Sequence, residues 1–335
     1  MLKYLLVVLS EDATSFCHYE TGRRSKSGRG LIALDHLRAA VIFALKHNLK
    51  VNALYPARRM PKAYEAALEE VEHVKIAPFP AGRRHPGAIL VVEGGAFPAG
   101  AELRTLRDAN VILRLRRADL PRLAVLVGRL LPRTTRINLV LADLESFGPE
   151  DLAAYGRELE KLRRRCLAIA PGRPRPEINV LTDRLALDRM NNCEAGLTHL
   201  TVAPDGRLYL CPAFYGAGAA ESLGEIRNEI AVPNRHLLEL RYAPICRVCD
   251  AFQCRRCIHL NRRLTLEVNT PSFQQCRAAH AEREASRLCL NALRERDGAA
   301  AGQVEIPEVP YDDPFDVVLK AKTTIAEFQK MRGSS

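Results

Sequence analysis

The first half of the chain alternates apolar runs with amphipathic segments, and this alternation constrains the fold more than any other feature. Apolar runs such as KYLLVVLS (3–10) predict buried strands, and segments such as LIALDHLRAAVIFALKHNL (31–49) predict helices. Further strands are predicted at 50–56, 88–95, 110–116, 136–144 and 177–185, and further helices at 63–74, 101–109, 121–131 and 149–170. Alternation of this kind is typical of α/β proteins with a parallel sheet. About six such units are too few for a closed eight-fold barrel, so an open or partial barrel is predicted.

The chain changes character near residue 190. Residues 199–214 alternate apolar and polar positions on both sides of Pro204-Asp205-Gly206, which predicts a β-hairpin. A cysteine-rich stretch without periodicity follows, and then residues 275–296 predict a helix.

These changes define the expected domains. We predict a first domain over 1–188, a small cysteine-rich domain over 189–296, and a linker and tail over 297–335. Within the tail, 316–332 has the pattern of a short docking helix.

Composition narrows the class of protein. Apolar residues make up 47% of the 335 residues, as in a globular protein with a buried core. The net charge of +11 is spread along the chain, and with 6% aromatic residues and no Trp the sequence does not favour nucleic-acid binding. The start of the chain lacks a signal-peptide pattern, and no stretch approaches the ~20 apolar residues that span a bilayer. We therefore expect a cytoplasmic protein without membrane contact, in which clustered cysteines indicate metal or catalysis rather than disulfides.

The ten cysteines divide into three groups. Cys166 and Cys289 continue apolar stripes at helical spacing, which predicts core thiols. Cys17 stands alone in the loop after the first predicted strand. The remaining seven follow the pattern C-x12-G-x4-C, C-x2-C-x4-C-x2-C and a final cysteine: Cys193, Cys211, Cys246, Cys249, Cys254, Cys257 and Cys276.

The spacing of these seven indicates metal binding. Residues Cys246, Cys249, Cys254 and Cys257, here called the quartet, form two C-x2-C pairs that are cramped for one tetrahedral zinc ion. Closely spaced cysteines in two-cluster ferredoxins send one member to the neighbouring cluster, and the same logic predicts two clusters that share seven thiolates. Eleven Arg against five acidic residues in 241–296 would stabilise anionic clusters.

The hairpin, its glycine, the quartet and the final cysteine resemble a SPASM domain, the C-terminal extension of many radical SAM peptide-modifying enzymes. The similarity is closer to one family, the CXXX repeat peptide maturases. It is carried by SFCHYE (15–20), CEAGLTHLTVAPDGRLYLCPAF (193–214), YAPICRVCDAFQCRRC (242–257) and LEVNTPSFQQC (266–276). The resemblance implies a partial (β/α)6-type barrel like that of radical SAM proteins, followed by a small SPASM-like domain.

The same resemblance implies two auxiliary [4Fe–4S] clusters. The implied ligands of the first are Cys193, Cys211 and Cys257, and those of the second are Cys246, Cys249, Cys254 and Cys276. The quartet is shorter in its later gaps than the usual C-x2-C-x5-C-x3-C. With three ligands, the first cluster either leaves one iron open to a substrate thiolate or is completed by another group or metal.

The front of the chain departs from radical SAM proteins. Those proteins hold their catalytic cluster with C-x3-C-x2-C after the first strand, whereas this loop offers Cys17 followed by His18. One thiolate cannot hold a SAM-chelating cluster, so SAM binding is not predicted and Cys17 is at most a catalytic candidate of unassigned role. The resemblance therefore implies a maturase component that binds a Cys-rich precursor peptide and acts with a separate radical SAM enzyme.

Two alternatives remain open. A zinc-stabilised peptide- or protein-binding adaptor would use the seven cysteines with His259 or His280 to complete two tetrahedral sites. A basic zinc module for nucleic acid is less favoured, because a basic recognition helix and interleaved aromatic residues are lacking.

Overall fold

The structure is a computed structural model that describes residues 2–13, 30–170, 175–228, 230–297 and 304–308. Cys17, His18 and the predicted docking helix at 316–332 lie outside these residues, so the predictions about them stay predictions. Within the described ranges, no helix is both long enough and apolar enough to cross a bilayer.

The described residues form one mixed sheet of ten strands. The strands are β1 (Tyr4–Val8), β2 (Lys50–Leu54), β3 (His73–Pro78), β4 (Ile89–Glu93), β5 (Ala109–Leu115), β6 (Thr134–Leu141), β7 (Glu177–Ile178), β8 (His199–Val202), β9 (Arg207–Tyr209) and β10 (Gly224–Glu225). Their order in the sheet is β10-β9-β8-β1-β2-β3-β4-β5-β6-β7. Strands β1 to β8 pair in parallel, and β9 and β10 are antiparallel. The predicted α/β class with a parallel sheet is therefore confirmed, while the curvature of a partial barrel stays a prediction.

Eight α-helices accompany the sheet in the described residues. They are α1 (Leu34–Lys46), α2 (Lys62–Glu69), α3 (Gly100–Arg104), α4 (Leu123–Leu130), α5 (Pro149–Leu167), α6 (Pro212–Ala217), α7 (Ile258–Thr265) and α8 (Phe273–Asp297). Each helix predicted in the first half is found, although several are shorter than predicted. The helix predicted at 275–296 corresponds to α8, whose backbone at Gln275 is capped by the Ser272 hydroxyl at 3.2 Å.

Two elements differ from the sequence prediction. Strand β3 was not predicted, because its alternation is weak and Val74 within it is 44% exposed. The strand predicted at 177–185 ends after two residues in β7. There the Thr182 hydroxyl bonds the backbone N–H and carbonyl of Ile178, at 2.7 and 3.1 Å, and turns the chain away from the sheet.

The two faces of the sheet carry different apolar clusters, because side chains alternate along each strand. One face packs against α1 and α2 near β1 and against α4, α5 and α8 near β6. The other face carries a smaller buried cluster of Leu6, Val8, Leu54, Ile76, Val91, Ile112 and Val140. Helix α8 packs along α5, so the cysteine-rich part of the chain shares a core with the first half.

The predicted hairpin is confirmed as β8 and β9. Gly206 forms its turn with φ +77°, a left-handed conformation that favours glycine, and a Cβ there would lie 2.2 Å from His36 Nδ1. Strand β8 also pairs in parallel with β1, so the hairpin extends the sheet. The Leu208 and Tyr209 side chains are fully buried, which makes the hairpin a rigid base for Cys211.

Candidate metal centre

Two cysteines are core thiols, as the sequence predicted. Cys166 of α5 and Cys289 of α8 are 8% and 2% exposed in the same apolar cluster. Burial, with the nearby Cys289 thiol, raises the pKa of Cys166 to about 12, and burial raises that of Cys289 to about 11. Their place in the apolar core between α5 and α8 separates these two thiols from the seven other cysteines.

The quartet begins in a single 3-10 turn at Cys246–Val248 and continues through irregular structure to the start of α7. Backbone N–H groups point at two of its sulfurs: Ala251 N lies 3.5 Å from Cys249 Sγ, and Arg256 N lies 3.4 Å from Cys254 Sγ. Hydrogen bonds to a thiolate stabilise its charge and tune a bound metal. The backbone of the loop is therefore shaped to support anionic sulfur.

The first three turns of helix α8 are hydrogen-bonded to the quartet loop. Arg283 donates to both carboxylate oxygens of Asp250, from Nε to Oδ1 at 2.6 Å and from Nη2 to Oδ2 at 2.5 Å. Gln253 Nε2 donates to the Ala279 carbonyl at 2.6 Å, and the Cys257 N–H donates to Gln275 Oε1 at 2.8 Å. The Cys276 residue lies in the first turn of the same helix. The helix that carries Cys276 is therefore docked directly on the loop that carries the quartet.

A second attachment brings Cys193 to the same loop. The Asn191 N–H donates to the Phe252 carbonyl at 2.7 Å, and the Cys193 N–H donates to the Arg255 carbonyl at 2.9 Å. Cys193 and Cys211 also pack in one apolar cluster with Ile258, the residue after Cys257. Cys257 itself packs against the apolar cluster of α5 and α8, so the three segments adjoin while the trio does not share one cluster.

The described residues contain no group of three or more His, Cys, Asp or Glu side chains arranged to hold a metal ion. Burial raises the pKa of the quartet thiols: that of Cys246 rises to about 11, and those of Cys249 and Cys254 are also raised. These three thiols are thus neutral near pH 7 in this arrangement. Metal ions bind thiolates, so ligation must displace these protons.

The two candidate histidines differ in position. His280 Nε2 lies 3.6 Å from Cys249 Sγ, whereas the His259 ring meets Phe214 edge to face, with centroids 5.1 Å apart. Burial, with nearby arginines, lowers the pKa of each to about 4, so both imidazoles are neutral near pH 7. His280 is therefore the histidine that stands beside a quartet thiol.

Arg256 is a residue of this region that the sequence analysis did not single out. It lies inside the quartet, is 0% exposed, and has φ +46°. The excess of arginine over acidic residues in 241–296 was visible in the sequence, but nothing there separates a buried arginine from an exposed one. Its position between Cys254 and Cys257 is the signal that could have drawn attention to it.

Comparisons with known proteins bear on the fold. Neither a protein-family model nor a curated protein matches the sequence. The chain is similar in structure to native anSMEcpe with bound AdoMet and Kp18Cys peptide, with a TM-score of 0.59 and 11% identity over 87% of this chain and 99% of that one. At this identity the likeness concerns the fold alone: this chain shares the mixed α/β fold of that protein.

Proposed function

We propose that this protein is a component of a peptide-maturation system that binds two iron–sulfur clusters in its cysteine-rich part. The observation that carries the proposal is the fold shared with anSMEcpe, a protein whose structure holds AdoMet and a Cys-containing peptide. The seven-cysteine spacing and its similarity to CXXX repeat peptide maturases extend the proposal to a substrate with repeated Cys-x-x-x motifs.

The residues fit thiolate ligation in two respects. Backbone N–H groups point at Cys249 and Cys254 sulfurs, and the buried Arg256 has a guanidinium nitrogen, Nη1, without a hydrogen-bond partner. The first cluster would be held by Cys193, Cys211 and Cys257, and the second by Cys246, Cys249, Cys254 and Cys276. When bound, such clusters supply an iron site for a peptide thiolate or a path for electrons.

The chain's own residues would bind and hold the peptide. The buried hairpin and α8 fix the cysteine-bearing segments from two sides, so that a peptide thiol could approach a rigid site. The proposal also includes a separate radical SAM enzyme that starts the radical chemistry, because Cys17 is the single cysteine before residue 166. The proposal also includes the predicted domains at 1–188 and 189–296 and the predicted linker and tail at 297–335.

Co-expression tests this function. A precursor peptide with Cys-x-x-x repeats is produced with the radical SAM enzyme, with and without this chain, and the peptide mass is measured. We expect a mass change when both proteins are present, and its loss with Cys211→Ser. The variant Cys166→Ser is the matched control, because it alters a buried core thiol outside the candidate centre. A mass change that does not depend on this chain would refute the proposal.

A zinc-stabilised adaptor is the second candidate, and the contact between Cys249 Sγ and His280 Nε2 at 3.6 Å favours it. Three quartet thiolates and one imidazole would form a tetrahedral zinc site. Metal analysis after anaerobic purification separates the candidates: iron with equimolar sulfide supports the clusters, and two zinc ions in a colourless, fully active protein support the adaptor.

A further inference from the structure

Arg256 places a permanent positive charge inside the cysteine region. Its side chain is fully buried, and a guanidinium remains protonated at any pH at which the protein is folded. Burial lowers the pKa of Arg256 somewhat, but a cation of this type does not lose its proton. A buried charge is strongly destabilising unless an anion or a full set of hydrogen bonds compensates it.

The hydrogen bonds of Arg256 do not provide that compensation. Its Nε donates to Asn192 Oδ1 at 3.0 Å, and its Nη2 donates to the Leu238 carbonyl; both acceptors are neutral. Its Nη1 is buried and has no hydrogen-bond partner. Among the described residues, no carboxylate forms an ion pair with Arg256. The structure therefore contains a buried cation with one guanidinium nitrogen that makes no hydrogen bond.

Arg256 contacts the segments that carry both proposed ligand sets. Its backbone N–H lies 3.4 Å from Cys254 Sγ of the second set. Its side chain bonds Asn192, the residue before Cys193 of the first set. Arg256 therefore links the two sets within the quartet loop.

We propose that Arg256 is a positioning residue shared by the two metal sites: its buried charge is a counter-ion to the metal-bound thiolates, and its unpartnered Nη1 donates to a metal-bound sulfur. The identity of the metal rests on the proposed function, but the role of the arginine requires thiolate ligation of any kind. Charge and hydrogen bonds near the sulfurs set the affinity and reduction potential of such sites.

A purely structural role is the competing explanation, because the same side chain ties Asn192 to the Leu238 carbonyl. Two variants separate the roles. Arg256→Lys keeps the charge, while Arg256→Gln keeps amide donors and removes it. Arg247→Gln is the matched control, since Arg247 is an exposed arginine beside Cys246 in the same loop. A structural role predicts equal damage in both Arg256 variants.

The affinity test uses the full-length protein, purified without oxygen and stripped of metal. Cobalt(II) is titrated against a competing chelator, and its thiolate charge-transfer absorbance is followed. We expect Arg256→Gln to bind cobalt at least tenfold more weakly, and both Arg256→Lys and Arg247→Gln to stay within about threefold of the wild type.

The potential test uses protein reconstituted with iron and sulfide, with the reduced clusters followed by electron paramagnetic resonance. We expect Arg256→Gln to make reduction about tenfold less favourable, which is about 59 mV for a one-electron couple. The proposal would be overturned if the two Arg256 variants lost cobalt affinity and reduction potential equally. It would also be overturned if Arg256→Gln and Arg247→Gln did not differ in these quantities.

Asn192→Asp is the second variant, for the case in which Arg256→Gln does not fold. The new carboxylate would stand 3.0 Å from Arg256 Nε and take its charge. We expect higher thermal stability of the metal-free protein together with weaker cobalt binding; unchanged cobalt binding contradicts the proposal. If the wild type binds cobalt but no iron–sulfur cluster, the proposed iron–sulfur function is refuted. The cobalt affinities of the variants then still test the role of Arg256. A wild type that binds neither would refute both proposals.

Discussion

The pair between Arg283 and Asp250 should control how firmly the quartet loop is held. Arg283 is 3% exposed, and its guanidinium makes two bonds of 2.6 and 2.5 Å to the Asp250 carboxylate and one of 2.8 Å to the Pro307 carbonyl. The variant Arg283→Ala removes all three bonds. It leaves Asp250 without its principal counter-ion at the centre of the loop.

The cost can be estimated from the burial of the two partners. Removing one partner of a fully buried ion pair costs about 3–5 kcal/mol. The Asp250 side chain is 32% exposed and Arg184 Nη2 lies 3.9 Å from it, so water and a second cation offset part of the loss. The cost falls below that range, to about 2–3 kcal/mol. If the loop opens locally, the open population rises about 30- to 100-fold, since each 1.4 kcal/mol is a factor of ten.

Amide hydrogen exchange measures this opening directly. We expect the amides of Cys254 and Cys257 to exchange about 30- to 100-fold faster in Arg283→Ala, with little change in β5 or β6. Arg287→Ala is the control, because Arg287 pairs within α8 with Glu284, three residues away, and does not contact the loop. Equal exchange in the two variants would refute the claim that the ion pair fastens the loop.

Three further predictions concern stability. Gly206→Ala should lower the free energy of unfolding by about 1–2 kcal/mol because its φ is +77°, and the displacement of His36 by the new Cβ should lower it further. The control Gly156→Ala places a Cβ in open space on α5. In urea unfolding it should leave the free energy of unfolding unchanged or raise it by up to about 1 kcal/mol. Glu160 has a pKa of about 2, lowered by Arg163 and Arg164 against a usual 4.5, so its stabilisation is complete above pH 4.5 and lost as the pH falls toward 2. The Arg163–Glu160 ion pair is partly exposed, so Glu160→Gln should lower the free energy of unfolding by about 1 kcal/mol at pH 7 and by nearly nothing at pH 2. An equal loss at both pH values contradicts this. Cys289→Ser should lower the melting temperature without changing metal content, since it buries a hydroxyl in an apolar cluster; loss of metal would place Cys289 in the centre.

The elements of the fold were predictable because local patterns encode them. Strand β1 is a continuous apolar run and α5 has a regular apolar stripe, so each is evident from a short window of sequence. Strand β3 was missed because its exposed Val74, between the polar residues His73 and Lys75, breaks the alternation. Pairing with β2 and β4 holds it in the sheet. Tertiary pairing outweighs weak local preference in such a strand.

The seven cysteines of the candidate centre stay a prediction, whereas their surroundings are visible only in the structure. Cysteine spacing separated the seven candidates from Cys166 and Cys289, which lie in the core as expected. Spacing did not distinguish His280 from His259, since either could have faced the thiols. Only the packing of α8 on the quartet loop brings the His280 ring, and not His259, beside Cys249.

The sequence by itself determined the α/β alternation, the hairpin around Gly206 and the grouping of the cysteines. These depend on periodicity, turn chemistry and spacing, which act over a few neighbouring residues. The tertiary structure decided that β8 pairs with β1, that α8 packs on α5, and that Arg256 of the quartet loop is buried. Those outcomes depend on contacts between residues far apart in the chain, where the free energy of burial and charge pairing is set by the whole fold.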